Sequence, residues 1–423
     1  MKYDLILRNG NIYGGGMLLQ KNMDIAVKDG MIAKVDKHVE GSADAVIDIS
    51  GKMVSPGFID SHMHIDKALL MEDDGTKTLV SAIDRSIAVI NERFKGKSED
   101  EIYADIMERS SEILKMCISH GTTAVKTHVM IGGVYKMLAL DAMTALKKRY
   151  KDQIDIYTVV PYVKEMDTEW REAAKKGQID FIGGCPNLEF GGDVDHAYEN
   201  SDAKPYIDLV FELAKTYDLP IDLHTDESDR PNIDAFLYII EKTKENRMQG
   251  RVTASHVTAL DAPGIDPVEA AVAVARCAKA KVHVTSMTSC NLYLMDWGRR
   301  GPTKVRELMD AGVSVAIASD NIQDAFRPYG NANLMEEALL TAQVHKYTTH
   351  AEFSRLFEMI TYNPAENILA ENYGTLVGCA ADLVVVDAPD VTEAILSKAK
   401  ASFVLKCGRL VAKDGMVLEE VKL

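Results

Sequence analysis

GFIDSHMHID, residues 57–66, places His62 and His64 two positions apart where an apolar run stops. Side chains alternate faces along an extended strand, so residues i and i+2 point the same way. Two imidazoles on one face suit a divalent metal ion. A pair of surface histidines would have the same spacing. The stretch decides the fold only if other strands end in the same fashion.

Three of them do. IDLHTDE (221–227) ends an apolar run at His224 and carries Glu227 three residues later. VTASHVT (252–258) ends one at His256, and VSVAIASDN (313–321) ends one at Asp320 and Asn321. Each has an ordinary reading by itself: a hydrogen-bonded loop histidine, or an aspartate capping the next helix. Together they place His, His, His, Glu, His and Asp at the ends of separate strands, where one mouth would gather them.

The middle of the chain alternates strand and helix. Eight strand cores are predicted at 57–62, 124–129, 155–161, 181–185, 221–224, 251–256, 281–285 and 313–318. Between them lie helical patterns such as 99–121 and 303–312, apolar at i, i+3, i+4 and i+7. Eight such units predict an α/β fold, a distorted TIM-like (β/α)8 barrel with its active residues at the C-terminal strand ends. An open doubly wound sheet is the competing fold, but no GxGxxG follows the first strand. Both chain ends are β-rich and broken by Asn-Gly, Asp-Gly and Cys-Gly steps, which are turn chemistry. Residues 1–56 and 372–423 are therefore expected to form one small β-sandwich domain, and 57–371 the catalytic barrel.

With 423 residues the chain exceeds one simple core, and 47% hydrophobic content can bury a large one. The net charge of −16, with no basic run, argues against nucleic acid or an anionic membrane as partner. The six cysteines are scattered without a CxxC. No apolar run approaches the roughly 18 residues of a membrane span. The start MKYDLILRNG has too short an apolar stretch for a signal peptide. A cytoplasmic protein acting on a small molecule is expected. Homo-oligomer formation is left open.

His128, in VKTHVM, ends the second strand and is a candidate for the pocket lining. His38, His120, His196, His283, His345 and His350 read as surface or packing residues. No lysine ends the fourth strand, FIGGCPNLEF (181–190), so no carbamylated lysine bridging two metals is expected. Lys67 reads as a loop residue beside the site rather than a ligand.

With these residues in place, the chain resembles the amidohydrolase superfamily. PGFIDSHMHIDKA, IDLHTDE, GRVTASH and PYGNANLM resemble its cytosine deaminase branch over nearly the whole length. The resemblance implies one metal held by His62, His64, His224 and Asp320. It implies Glu227 as proton shuttle and His256 as hydrogen-bond partner of the attacking or substrate oxygen. Three positions depart from that branch: Val163 stands for a glutamine that reads the pyrimidine edge, Asn321 for an aspartate and Phe326 for a tryptophan. Cytosine itself is therefore not expected as substrate. ASDNIQD and VSPGFIDSHMHIDK also resemble N-isopropylammelide amidohydrolase, although HTDE keeps the deaminase-type acid. The nucleoside-type zinc deaminases, with H-x-E and P-C-x-x-C, are a different design that this chain lacks.

The expected reaction is metal-assisted hydrolytic removal of an exocyclic amine from a small nitrogen heterocycle: an aminopyrimidine, aminotriazine or creatinine-like ring. Three imidazoles and a carboxylate suit Zn2+ or Fe2+. Two alternatives remain: hydrolysis of a cyclic amide or N-alkyl aminotriazine, and a non-catalytic binding protein of the same fold.

Overall fold

The computed structural model describes residues 2–71, 78–189, 202–295 and 303–422. The chain opens with five strands: β1 Lys2–Tyr13, β2 Leu19–Lys28, β3 Met31–Asp36, β4 Ser42–Asp48 and β5 Met53–Pro56. Eight more follow, separated by helices: β6 Phe58–Met63, β7 Thr122–His128, β8 Asp155–Pro161, β9 Phe181–Gly183, β10 Ile221–Thr225, β11 Val252–His256, β12 His283–Ser286 and β13 Val315–Ile317. Four close the chain: β14 Leu383–Val386, β15 Ala401–Lys406, β16 Arg409–Lys413 and β17 Met416–Lys422.

β6 to β13 form one parallel sheet in sequence order. Its two edges meet where Met63 bridges Asp320 in parallel and the Asp320 N–H donates to the His62 carbonyl at 2.9 Å. Asp60 makes a second tie, its carboxylate accepting the Ser319 N–H at 3.1 Å. The sheet is thus a nearly closed barrel, the expected α/β fold. Every residue of β6 and β7 is buried, which explains why these strands read as runs without polar alternation.

The chain ends meet in a second, largely antiparallel sheet of order β17-β16-β15-β14-β5-β1-β2-β3, with β4 parallel beside β1. The junction is β5 against β14, with Val54 opposite Val385. Asp29–Gly30 and Cys407–Gly408 make two-residue hairpin turns with both residues at positive φ, +52° and +77°, +47° and +73°. That geometry follows the right-handed strand twist, and glycine adopts it without a Cβ penalty. Leu5, Leu7, Ile25, Val27, Leu383, Val385 and Leu405 pack as a core of this sheet's own. Val384, Val386 and Val404, on the opposite face, join the core of the barrel. The helix Val391–Ser397, in the C-terminal segment, also packs into that core through Val391, Ala394 and Ile395. No helix among the described residues is long and apolar enough to cross a membrane.

Candidate active site

The barrel brings five histidines to one end. His62 lies in β6, His64 just beyond it, His128 at the end of β7, His224 within β10 and His256 at the end of β11. Asp320 follows β13 by three residues. Ring centroids of His62 lie 5.3 Å from His64, 4.0 Å from His128, 4.7 Å from His224 and 5.2 Å from His256. His64 Nε2 lies 3.3 Å from His224 Nε2 and 3.4 Å from Asp320 Oδ1, and His62 Nε2 is 3.8 Å from that same oxygen. The donor atoms of His62, His128 and His224, and those of His62, His256 and Asp320, also lie within 4.8 Å of one another.

The residues fit a cation. His62 Nε2 and Asp320 Oδ1 are buried without a hydrogen-bond partner, an expensive state for polar atoms in an apolar interior. Burial first, and mutual proximity second, push His62 far below the usual histidine range; burial pushes His64 and His224 the same way. All three are neutral imidazoles with a lone pair to offer. Burial pushes the Asp320 carboxyl up to about 7. A divalent ion among these atoms would reverse that cost, since nitrogen and carboxylate donors are its ordinary ligands.

The backbone is bent to reach this arrangement. His256 has φ +69° and Asp320 φ +60°. For residues with a Cβ that region costs roughly 1–2 kcal/mol, and such outliers concentrate at functional sites. The loop after His64 is pinned by buried Arg109, which donates to the carbonyls of Asp66 at 2.9 Å and Ala68 at 2.7 Å. Thr127 Oγ1 accepts the Ile65 N–H at 3.1 Å, and Asp66 accepts the Met130 N–H at 2.8 Å.

Glu227 and His256 meet beside this cluster. Glu227 Oε1 lies 3.1 Å from His256 Nδ1 and accepts Asn291 Nδ2 at 2.8 Å. Burial, and then the charge of Asp320, pushes the Glu227 carboxyl well above the usual carboxylate range. Burial pushes His256 down to about 3.

A cavity of about 240 Å³ opens over these groups. A void of about 150 Å³ holds benzene, so one small heterocycle with substituents fits. His64, His128, His224, Glu227, His256, Asp320, Asn321 and Phe326 all line it. Apolar side chains also line it: Leu79, Ile83 and Ile87 from the helix Leu79–Phe94, and Leu294, which packs in one cluster with Leu79 and Ile83. Asn321 Nδ2 donates to Asp324 at 2.6 Å. Lys67 also lines the cavity, its ammonium 4.8 Å over the Phe326 ring.

Val163 does not join them. It lies on the connection after β8, beside Gly132, while Pro161 at the end of that strand lines the cavity. Two residues past the strand end, Val163 is half-buried and packs against the barrel core. His283 is a buried packing residue, its Nε2 3.2 Å from the Gly250 carbonyl. His196 lies outside the described residues.

Four positioning groups escaped the sequence reading. Ser255 Oγ lies 3.1 Å from His62 Nδ1 and donates to Asp222 at 2.7 Å. Asp222 in turn pairs with Lys126 at 2.6 Å. Lys126 and Asp222 stand two residues before His128 and His224, so strand alternation puts each on the face of its histidine. That signal was present in VKTH and IDLH. Asn291, on the helix Thr288–Leu294, carries no comparable signal.

With this geometry described, comparison with known proteins places the chain. The model of the amidohydrolase family matches residues 53–415. The chain belongs to the amidohydrolase family. This amidohydrolase is 31% identical over 427 residues to the N-isopropylammelide isopropyl amidohydrolase of Pseudomonas sp. (strain ADP), covering 98% of this chain and 99% of the relative. It is 28% identical over 417 residues to the pterin deaminase of Rhizobium rhizogenes, covering 92% and 88%. Its fold is similar to that of 5-methylcytosine deaminase from Klebsiella pneumoniae, with a TM-score of 0.83 at 22% identity over 98% of this chain and 100% of the other. The amidohydrolase is a hydrolase of carbon–nitrogen bonds with a cytosine deaminase-like fold.

Proposed function

We propose that this amidohydrolase removes an exocyclic amino group from a small nitrogen heterocycle by hydrolysis, using one divalent metal ion. The observation that carries this reading is Glu227. It is a carboxylate that lines the cavity beside the histidine and aspartate cluster, held against His256 without belonging to the cluster.

His62, His64, His224 and Asp320 would hold the ion, Zn2+ or Fe2+ by donor type. When bound, such an ion supplies Lewis acidity that brings the pKa of water toward neutrality. The remaining steps fall to the protein. Glu227 accepts the proton of the attacking water and delivers it to a ring nitrogen. It then carries the second water proton to the departing amine. The carbon–nitrogen bond breaks, the ring carbon keeps the water oxygen as a carbonyl, and ammonia leaves. His256 Nε2, buried and without a partner, accepts a hydrogen bond from the attacking water and orients it. His128, Asn321 and Phe326 border the ring.

A second reading is release of an alkylamine from an N-alkyl aminotriazine in place of ammonia. The apolar wall of Leu79, Ile83, Ile87 and Leu294 favours it, as does the named substrate of the Pseudomonas relative.

The test is a screen of aminopyrimidines, aminotriazines, pterins and N-alkyl aminotriazines with metal-loaded protein, scoring ammonia and alkylamine separately. Release of either from at least one ring, abolished in Glu227→Gln, supports the proposal. No release from any of them, with metal bound, overturns it.

A further inference from the structure

The helix Thr288–Leu294 enters the barrel mouth after β12 and turns Cys290 and Asn291 inward, both buried. Asn291 is fully buried, which an amide tolerates only when its hydrogen bonds are made. It makes them to two groups of the proposed machinery at once. Its Nδ2 donates to Glu227 Oε1 at 2.8 Å, and His256 Nδ1 lies 3.1 Å from the same Nδ2 and 3.3 Å from Oδ1. His256 Nδ1 is itself 3.1 Å from Glu227 Oε1. Asn291 thus bridges the carboxylate and the imidazole, and the three side chains form a closed triangle. The amide orientation follows from the acceptor: turned over, its oxygen would face the carboxylate oxygen.

We propose that Asn291 is a positioning residue that locks Glu227 and His256 into one unit, with Glu227 Oε2 and His256 Nε2 as the atoms turned to the substrate. The inference rests on the hydrolytic reading above and assigns a third member to its proton-transfer machinery. The geometry explains the arrangement. Glu227 sits on the loop after β10 and His256 at the end of β11, so the two side chains come from separate elements. With Oε1 held by Asn291 Nδ2, rotation of the carboxylate would break that hydrogen bond and separate Glu227 from His256. A misplacement of about 1 Å is enough to cost roughly 10²-fold in rate, so the lock bears on the chemical step rather than on binding.

The decisive variants are N291L and N291D in the metal-loaded protein. N291L removes the donor at similar size. N291D keeps the shape but sets an acceptor against the Glu227 carboxylate. The expected result is a loss in kcat of about 10- to 100-fold for N291L and a larger loss for N291D, with KM within about threefold of wild type and metal content unchanged. The double variant N291L/E227Q is expected to lose no more than E227Q alone, because both act through one group. A purely structural asparagine predicts the opposite order, with N291D the milder change and the losses of N291L and E227Q multiplying. Either result overturns the proposal.

A second measurement needs no substrate. In ¹⁵N-histidine spectra of the metal-loaded wild type, His256 Nδ1 should carry a proton protected from exchange. In N291L and in N291S that protection should be lost. Unchanged His256 signals in a folded variant overturn the lock even if no substrate is found. Failure of every substrate with these signals lost as expected overturns the hydrolytic reading and leaves the lock standing.

Discussion

Lys126 Nζ and Asp222 Oδ2 form an ion pair 2.6 Å long inside the barrel, with both side chains completely shielded from solvent. The pair stands behind His128 and His224 on β7 and β10. Thr253 and Thr285 hydrogen-bond Asn367 at 3.0 Å each, and Asn367 also contacts Lys126, closing the barrel from the far end. Burial pushes the Asp222 carboxyl up, but Lys126 and His128 more than reverse this and hold it well below the usual carboxylate range. A charged floor beneath a histidine cluster has direct consequences for stability and for the cluster.

Removing one partner leaves the other charged and buried. K126M should destabilise the protein by about 3–5 kcal/mol. The double variant K126M/D222L should recover much of the loss, since paired apolar side chains carry no desolvation cost. Equilibrium unfolding in denaturant measures both. Equal stability of K126M and wild type would contradict the burial of the pair.

Ser255 links that floor to His62. Its hydroxyl contacts His62 Nδ1 at 3.1 Å and orients the ring so that Nε2 faces the cluster. S255A should bind Zn2+ about 10-fold or more weakly, the ordinary effect of losing a group that orients a metal-ligating histidine. Chelator competition reads the affinity directly. Unchanged affinity would show that the ring is held by packing alone.

The acid and the ligand set should separate on mutation. E227Q should keep metal content and folding and lower kcat by about 10²-fold or more, the usual worth of a general acid–base group. H62A should lose metal together with activity. Parallel metal analysis and turnover of both variants decide this. Metal loss in E227Q would move Glu227 into the ligand set.

Metal stoichiometry follows from the donors. Active protein should hold one tightly bound equivalent per chain, and chelation should lower its thermal midpoint, because a ligand bound only by the native state stabilises it. Two equivalents, both required for rate, would refute the single centre.

A surface group sets part of the acid limit of stability. Hydrogen bonds from the Thr348 backbone, the Arg306 side chain and the Thr349 backbone hold Glu352 down to about 2, below its ordinary 4.5. A carboxyl lowered on folding stabilises the native state above its unfolded pKa. That contribution is lost as pH falls from about 4.5 to about 2. E352Q should show a shallower loss of stability across this window, read from unfolding midpoints at a series of pH values. An unchanged slope would mean that the hydrogen bonds do not persist in solution.

Much of this architecture was open to inspection in one dimension. The eight barrel strands were legible because each is a short buried run bounded by turn chemistry. The pattern delimits Asp155–Pro161 as the structure has it, and extends Val315–Ile317 to 313–318. Ser314 and Ala318 still hydrogen-bond to Val284 and Ser286 of β12, at 3.1 and 3.2 Å, so an apolar or small run continues past the regular ladder. His62, His64, His224, His256 and Asp320 were found because a polar residue at the end of an apolar run stands out.

What the sequence determined by itself was the set of strand ends and their chemistry, because strand alternation is local and a histidine two residues from another shares its face. What only the tertiary structure decided was which groups touch. Val163, which the resemblance set at the pyrimidine-reading position, is not among the residues lining the cavity. Asn291 reaches Glu227 across 64 residues, and Ser255 reaches His62 across 193. Such contacts depend on barrel closure and on the direction of each connecting loop. Both are set by packing of the whole core, so no local pattern records them.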